Sequence, residues 1–242
     1  MKIFALSDFH LSFASPVKAG QWDNVELTKP MEVFGPGWHN FYQRLYDNWL
    51  DTVGPEDAVL VAGDISWGMN LEECRHDFAF LGQLPGVIIL GRGNHDYWWQ
   101  GIGKLKKALP SNIIPVHHDC AVVGGKAVCS TRGWSLPGSN DYNDKIYQRE
   151  LLRLEMALQA GEKTGLPLVA MLHFMPINNA DEDSDFCRLL RDHQVELCIF
   201  GHLHLHGDDC KRAVNGNYWG IEFINTSLDC LDCRPKLLWE TV

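Results

Sequence analysis

Short apolar runs recur along this chain and alternate with amphipathic segments. Ile3-Phe4-Ala5-Leu6, Ala58-Val59-Leu60-Val61-Ala62, Val87-Ile88-Ile89-Leu90, Leu168-Val169-Ala170-Met171-Leu172 and Cys198-Ile199-Phe200 are continuous and aliphatic, the pattern of strands buried on both faces. Phe41, Leu45 and Trp49 recur every fourth residue, which predicts an amphipathic helix over 39–53. Further helices are expected near 70–83, 100–109 and 142–160. Strands alternating with helices predict βαβ units with helices on the sheet faces. From Ile113 the spacing shortens. Strands over 113–117, 119–123 and 126–131 around a Gly124-Gly125 turn predict a switch to antiparallel pairing. A second hairpin turn is expected around Asn215-Gly216-Asn217, and Lys236 to Glu240 closes the chain. Pattern alone gives a mixed α/β fold, read as a single domain over 1–242.

Residues 11–38 break every period, with Pro16, Gly20, Pro30, Gly35, Pro36 and Gly37 spread through them. A connection of that length in a compact domain is usually a binding loop or lid. It leaves the first strand beside Asp8 and His10, so an active-site loop is expected. The plainer reading is an insertion packed on its own Trp22, Phe34 and Trp38.

The apolar runs end in chemistry. Asp8-Phe9-His10, Gly63-Asp64, Gly93-Asn94-His95-Asp96, His173 and Gly201-His202-Leu203-His204 follow them in chain order. In open α/β sheets the carboxyl ends of strands are where ligands bind, so these side chains are expected in one cleft. Imidazole, carboxylate and carboxamide donors suit borderline and hard divalent ions, and the lack of thiolate argues for an open catalytic site. Asp64 is the natural bridge between two ions. Such ions, roughly 3.5–4 Å apart, serve displacement at phosphorus. Taken singly, Asp8 reads as a helix cap, and Asp64 and Asn94 as turn residues. Five such coincidences at five strand ends do not read that way.

These motifs resemble those of the calcineurin-like metallophosphoesterases, D-x-H, G-D, G-N-H-D/E, H and G-H-x-H in this order, over residues 8 to 204. The resemblance implies two packed mixed β-sheets flanked by helices, a four-layer α/β/β/α sandwich. It implies a first metal on Asp8, His10, Asp64 and His204, and a second on Asp64, Asn94, His173 and His202. His95 is then the catalytic acid beside the leaving group, with Asp96 orienting it. The cofactors would be two divalent ions: manganese, iron, zinc, nickel or cobalt. The protein-phosphatase members carry G-D-x-x-D-R-G and G-N-H-E, whereas this chain has Gly63-Asp64-Ile65-Ser66-Trp67-Gly68 and Asp96. Purple acid phosphatases place a tyrosine where Trp67 stands.

Composition narrows the partners. A formal net charge of −10 and no basic stripe speak against nucleic acid. Lys104, Lys106 and Lys107 read as a solvated helix face. Asp8 follows the first strand directly, leaving no room for a cleavable leader, and no apolar run is long enough to cross a bilayer. Cys129 and Cys198 lie inside strand-like runs, which fits reduced thiols and a cytoplasmic setting. Cys230-Leu231-Asp232-Cys233 is half of a zinc or redox motif with no second half. Arg92 and Arg132 could grip a phosphate oxygen, and Trp67 and Trp98, with Trp99 and Trp134, could stack a base or sugar. Trp98 and Trp99 read equally well as a roof on the fold. His206 continues the alternate spacing of His202 and His204 as an outer residue of the site. The expected activity is hydrolysis of a small phosphate ester, a phosphomonoester or phosphodiester such as a nucleotide or cyclic nucleotide. The alternatives are a nuclease and a metal-binding scaffold without turnover.

Overall fold

The computed structural model describes residues 1–18, 20–177, 183–205, 210 and 214–241. The chain runs β1 (Lys2–Ala5), α1 (Phe41–Thr52), β2 (Ala58–Val61), α2 (Arg75–Leu81), β3 (Val87–Leu90), α3 (Ile102–Ala108) and β4 (Ile113–Pro115). It continues through β5 (Asp119–Val123), β6 (Lys126–Thr131), α4 (Asp144–Glu162), β7 (Leu168–Leu172), α5 (Asp185–Asp192) and β8 (Leu197–Phe200). β9 (Gly216–Tyr218), β10 (Ile221–Asn225) and β11 (Lys236–Glu240) complete it. One sheet has the order β11-β1-β2-β3-β4 and the other β5-β6-β7-β8-β10-β9.

Strand side chains alternate faces, and the alternation sets the layers. Ile3, Ala5, Leu60, Ile89, Val128, Val169, Met171 and Ile199 share a core between the sheets. Phe4, Val59, Val61 and Leu90 turn the other way and pack with Phe41, Leu45 and Trp49 of α1, Phe78 of α2 and Leu105 of α3. Cys129, Ala170, Leu172 and Cys198 pack with Leu154 and Leu158 of α4 and Phe186 of α5. Helix, sheet, sheet, helix is the four-layer sandwich expected. The α1 stripe is fully buried, and each such side chain contributes about 1.5–3 kcal/mol.

Two expectations need correction, and two features go beyond the expected pattern. β4 pairs parallel to β3, so antiparallel pairing starts only with β5 and β6. The late hairpin turns at Trp219-Gly220, not at Asn215-Gly216-Asn217. Trp219 and Gly220 have φ of 54° and 83°, the positive values a tight hairpin turn requires, and Asn215 instead accepts the Asn225 N–H through its side chain at 2.7 Å. The helix α5 was not foreseen. Its Ser184 cap accepts from Cys187 N–H at 3.0 Å, and its apolar face is Phe186, Cys187 and Leu190. Finally, the Cys230 thiol faces Cys210 at 2.7 Å, while Cys233 is buried in the α1-side core; all the cysteines are free. No helix among the described residues is long and apolar enough to cross a membrane. His206 lies outside the described residues.

Candidate metal centre

At the carboxyl ends of the strands, two loops zip together. Asp8 N–H donates to Gly63 O at 3.0 Å, His10 N–H to Asp64 O at 3.0 Å, and Leu11 N–H to Ile65 O at 2.9 Å. This pairing bends both chains sharply. Asp8, His10, Asp64 and His202 hold φ of 62°, 47°, 55° and 70°, a left-handed region that costs L-residues about 1–2 kcal/mol each. The glycines of the motifs are demanded by close approach: a Cβ on Gly93 would lie 1.9 Å from Asp64 Oδ1, and one on Gly201 would lie 2.2 Å from Asp8 Oδ2.

The side chains converge in two groups. Asp8, His10 and His204 form one, and Asp64, His173 and His202 the other, with the ligand atoms of each group within 4.8 Å of one another. His10 Nε2 and His204 Nε2 face each other at 3.0 Å. Asn94 Oδ1 joins the second group, 2.5 Å from His173 Nε2 and 3.0 Å from His202 Nδ1. Asp64 Oδ2 sits between the groups, 3.8 Å from His10 Nε2 and 3.3 Å from His173 Nε2. It is buried and has no hydrogen-bond partner.

These contacts suit a cation. His173 Nδ1 lies 3.0 Å from the Ala62 carbonyl, so both of its ring nitrogens face acceptors, and either the ring carries two protons or a cation takes the place of one. Burial disfavours charge on Asp64 and His173 alike. Each nevertheless holds the other charged, Asp64 below the usual carboxylate range and His173 pushed up to about 9. Burial, followed by the nearby His173, pushes His202 down to about 3, which leaves that imidazole neutral with a lone pair to give. Metal binding displaces protons from ligands of this kind. The donors of both groups therefore fit divalent ions.

Two residues around this centre do work that differs from, or was absent in, the sequence reading. Asp96 does not orient His95. Its carboxylate accepts from the backbone N–H groups of Asp64 (2.9 Å), Gly93 (2.7 Å) and Ile65 (3.2 Å), because the bend at Asp64 turns those donors inward. It is a positioning residue for the turn that carries Asp64. His95 is held by its backbone, N–H to Asp64 Oδ1 at 2.8 Å, and its Nδ1 has no partner. Asp229 was missed altogether. Its carboxylate lies 3.6 Å from His204 Nδ1 and is brought there by the Ser7–Ser227 bridge between β1 and the chain after β10. Carboxylates behind ligating imidazoles orient the ring and raise its basicity. No spacing in the sequence announces such a partner.

A cavity of about 410 Å³ opens on the centre, lined by His10, Met31, Phe34, Trp38, Trp67, His95 and His204. Trp67 stacks on His10 at 4.7 Å and leans on His95 at 4.4 Å. Phe13 and Trp22 pack on Phe80, while Met31, Phe34 and Trp38 reach the cavity. Trp98 does not reach it. It is 1% exposed and packs edge-on against Phe78, so the apolar core has claimed it. Arg132 lies over Trp134 at 4.6 Å and pairs with Glu150 at 3.5 Å. Arg92 is half-buried beside Gly93.

No curated protein sequence matches this chain. Among solved structures, it is similar to the protein AQ665 of unknown function from Aquifex aeolicus, at 21% identity and a TM-score of 0.52 over 98% of this chain and 95% of that one. It is similar too to TT1561 of Thermus thermophilus, at 13% identity and a TM-score of 0.52 over 98% and 97%. These likenesses speak to the fold. The sequence model of the calcineurin-like phosphoesterases matches residues 1–206, which include every residue of the two converging groups, and the chain belongs to that family.

Proposed function

We propose that this protein is a dinuclear metal-dependent phosphohydrolase acting in the cytoplasm on a small phosphomonoester or phosphodiester, such as a nucleotide or cyclic nucleotide. The observation that carries this reading is Asp64 Oδ2, buried and without a hydrogen-bond partner between imidazoles of two ligand groups. Asp8, His10, Asp64 and His204 would hold one ion, and Asp64, Asn94, His173 and His202 the other. Ions held there supply Lewis acidity to a phosphoryl oxygen and make water more acidic.

The protein's own groups do the rest. Hydrogen bonds from three backbone N–H groups to Asp96 fix the turn that carries Asp64. Asp229 orients His204. His95 reaches the cavity wall and donates a proton to the departing alkoxide. Met31, Phe34, Trp38 and Trp67 exclude water and give an apolar face to the leaving group. A cavity of about 410 Å³ suits a compact ester better than a folded phosphoprotein or duplex DNA.

A substrate panel with added manganese tests the proposal. It would include p-nitrophenyl phosphate, its bis ester, nucleotides, cyclic nucleotides, a folded phosphoprotein and duplex DNA. Turnover of small esters, with two metals per chain by elemental analysis, is the expected result. Faster cleavage of DNA or of the phosphoprotein than of any small ester overturns it.

A further inference from the structure

A second polar cluster lies one strand further along each sheet. Arg92 follows β3, His117 and His118 follow β4, Arg132 follows β6, and Arg149 and Arg153 stand on α4. His118 N–H donates to Ser130 O at 2.8 Å, extending the β5–β6 ladder just after the chain crosses from one sheet to the other. Glu150 is the buried acid of this cluster. It accepts from Thr131 Oγ1 at 2.8 Å and Arg153 at 2.7 Å, with Arg132 at 3.5 Å and Arg149 at 4.0 Å. One carboxylate thus meets several guanidinium groups, and Asp96, the other acid near Arg92, has both oxygens engaged by backbone N–H groups.

The cluster also has unmet hydrogen-bonding capacity. Arg92 Nε, Arg132 Nε, both ring nitrogens of His117, His118 Nε2 and Ser130 Oγ are buried with no hydrogen-bond partner. Ser130 is 0% exposed. Native proteins seldom leave so many polar atoms unpaired in one place. Burial above all pushes His117 down to about 2, and the adjacent His118 and arginines push the same way. Excess positive charge together with unpaired donors calls for an anion.

Its position ties the cluster to the metal centre. Arg92 is two residues from Asn94, at most about 7 Å of backbone. The Arg132 carbonyl accepts from His173 N–H at 3.0 Å and Phe174 N–H at 2.9 Å. Arg132 is also braced over the Trp134 ring at 4.6 Å. Guanidinium forks match the oxygens of phosphate two at a time.

We propose that Arg92, Arg132 and His117 form an anion subsite that takes a second phosphate of the small ester whose first phosphate is cleaved at the metal centre. This rests on the phosphohydrolase reading and narrows its substrate class to bisphosphorylated compounds, nucleoside diphosphates included. Activity and binding separate the two claims. With the metal-loaded enzyme, kcat/KM for ADP relative to p-nitrophenyl phosphate should fall by about 10- to 100-fold in Arg92→Gln and Arg132→Gln, the worth of a charge-assisted contact. Arg92→Lys should recover part of the ratio. Sulfate titrated calorimetrically into the same proteins should bind the wild type and Asp64→Asn alike, and bind Arg92→Gln at least about tenfold more weakly. If sulfate binding is lost in Arg92→Gln but no ester is ever hydrolysed, the subsite stands and the phosphohydrolase reading fails. If esters are hydrolysed while the ADP ratio and sulfate binding are untouched by both arginine variants, the subsite is wrong.

Discussion

The strand order spreads two unlike walls to either side of the metal ligands. On the β1 and β8 side, Met31, Phe34, Trp38 and Trp67 form an aromatic, largely apolar surface. On the side where β3 and β4 meet β6, the surface is guanidinium and imidazole around a single buried glutamate. The contrast teaches how a site with one kind of chemistry acquires a direction. On the proposed reading, residues at the strand ends would hold the reacting phosphate. An aromatic wall and a cationic wall would then fix which end of such a substrate points each way, because each accepts what the other rejects.

Asp64→Asn is the reference against which the walls are judged, and its effect should be the largest. It removes charge from both ligand groups at once, so it should cost more than about half of the bound metal at both positions and abolish turnover on every ester. Elemental analysis showing two tightly held ions would remove Asp64 from its bridging place.

His95→Asn should leave metal content near normal and slow turnover by about 10²–10⁴. The loss should be greater for an alkyl ester than for p-nitrophenyl phosphate, whose leaving group needs little protonation; equal losses would make His95 a positioning group. Burial lowers the His95 pKa, with Asp64 pulling the other way. The acid must be protonated to act, so the alkyl-to-aryl rate ratio should fall as pH rises through a pKa below about 6.5. In His95→Asn that pH dependence should vanish.

Asp229→Asn acts on one side only. Affinity for the ion on His10 and His204 should drop by about 10–100-fold, the usual cost of losing a carboxylate behind a ligating imidazole. The ion on Asn94, His173 and His202 should stay. Equal loss of both would mean that Asp229 supports the whole centre.

The smallest effect is expected at the aromatic rim. Phe34→Ala should raise KM for AMP by about 2- to 10-fold, the worth of one aromatic contact. For glycerol 2-phosphate, which has no ring, KM should hardly move. A matching rise for both esters would mean that Phe34 shapes the cavity without touching the base.

The sequence announced the two converging groups and, of the walls, only Arg92, Arg132 and Trp67, for physical reasons. Asp8, Asp64, Asn94, His173, His202 and His204 each stand within a few residues of a buried strand, and strands in one layer bring their ends together whatever the loops do. Arg92, His117, Arg132 and Arg153 share no spacing and meet only because the two sheets stack in one order. Asp96 misled because a carboxylate beside a histidine in sequence suggests a pair. The inward turn of three N–H groups, invisible in a string of letters, claimed it instead. Trp98 and Trp67 looked alike as aromatics after strands, yet the core took one and the cavity the other. The two-residue turn at Trp219-Gly220 was masked by a stronger turn signal in Asn215-Gly216-Asn217, whose asparagine is spent on a side-chain bond.

The left-handed backbone at Asp8, His10, Asp64 and His202 bears on how this architecture drifts under mutation. Glycine at any of them would relieve about 1–2 kcal/mol of steric penalty and give back roughly 0.5–1 kcal/mol through a looser unfolded chain. The balance is close to neutral. At His10 and His202 folding therefore exerts little pressure to keep an imidazole, whereas the Asp8 and Asp64 carboxylates also accept the His202 and His95 backbone N–H groups. A lineage with no need for hydrolysis could shed these two imidazoles without shedding its shape, and keep a rigid, non-catalytic platform for other uses.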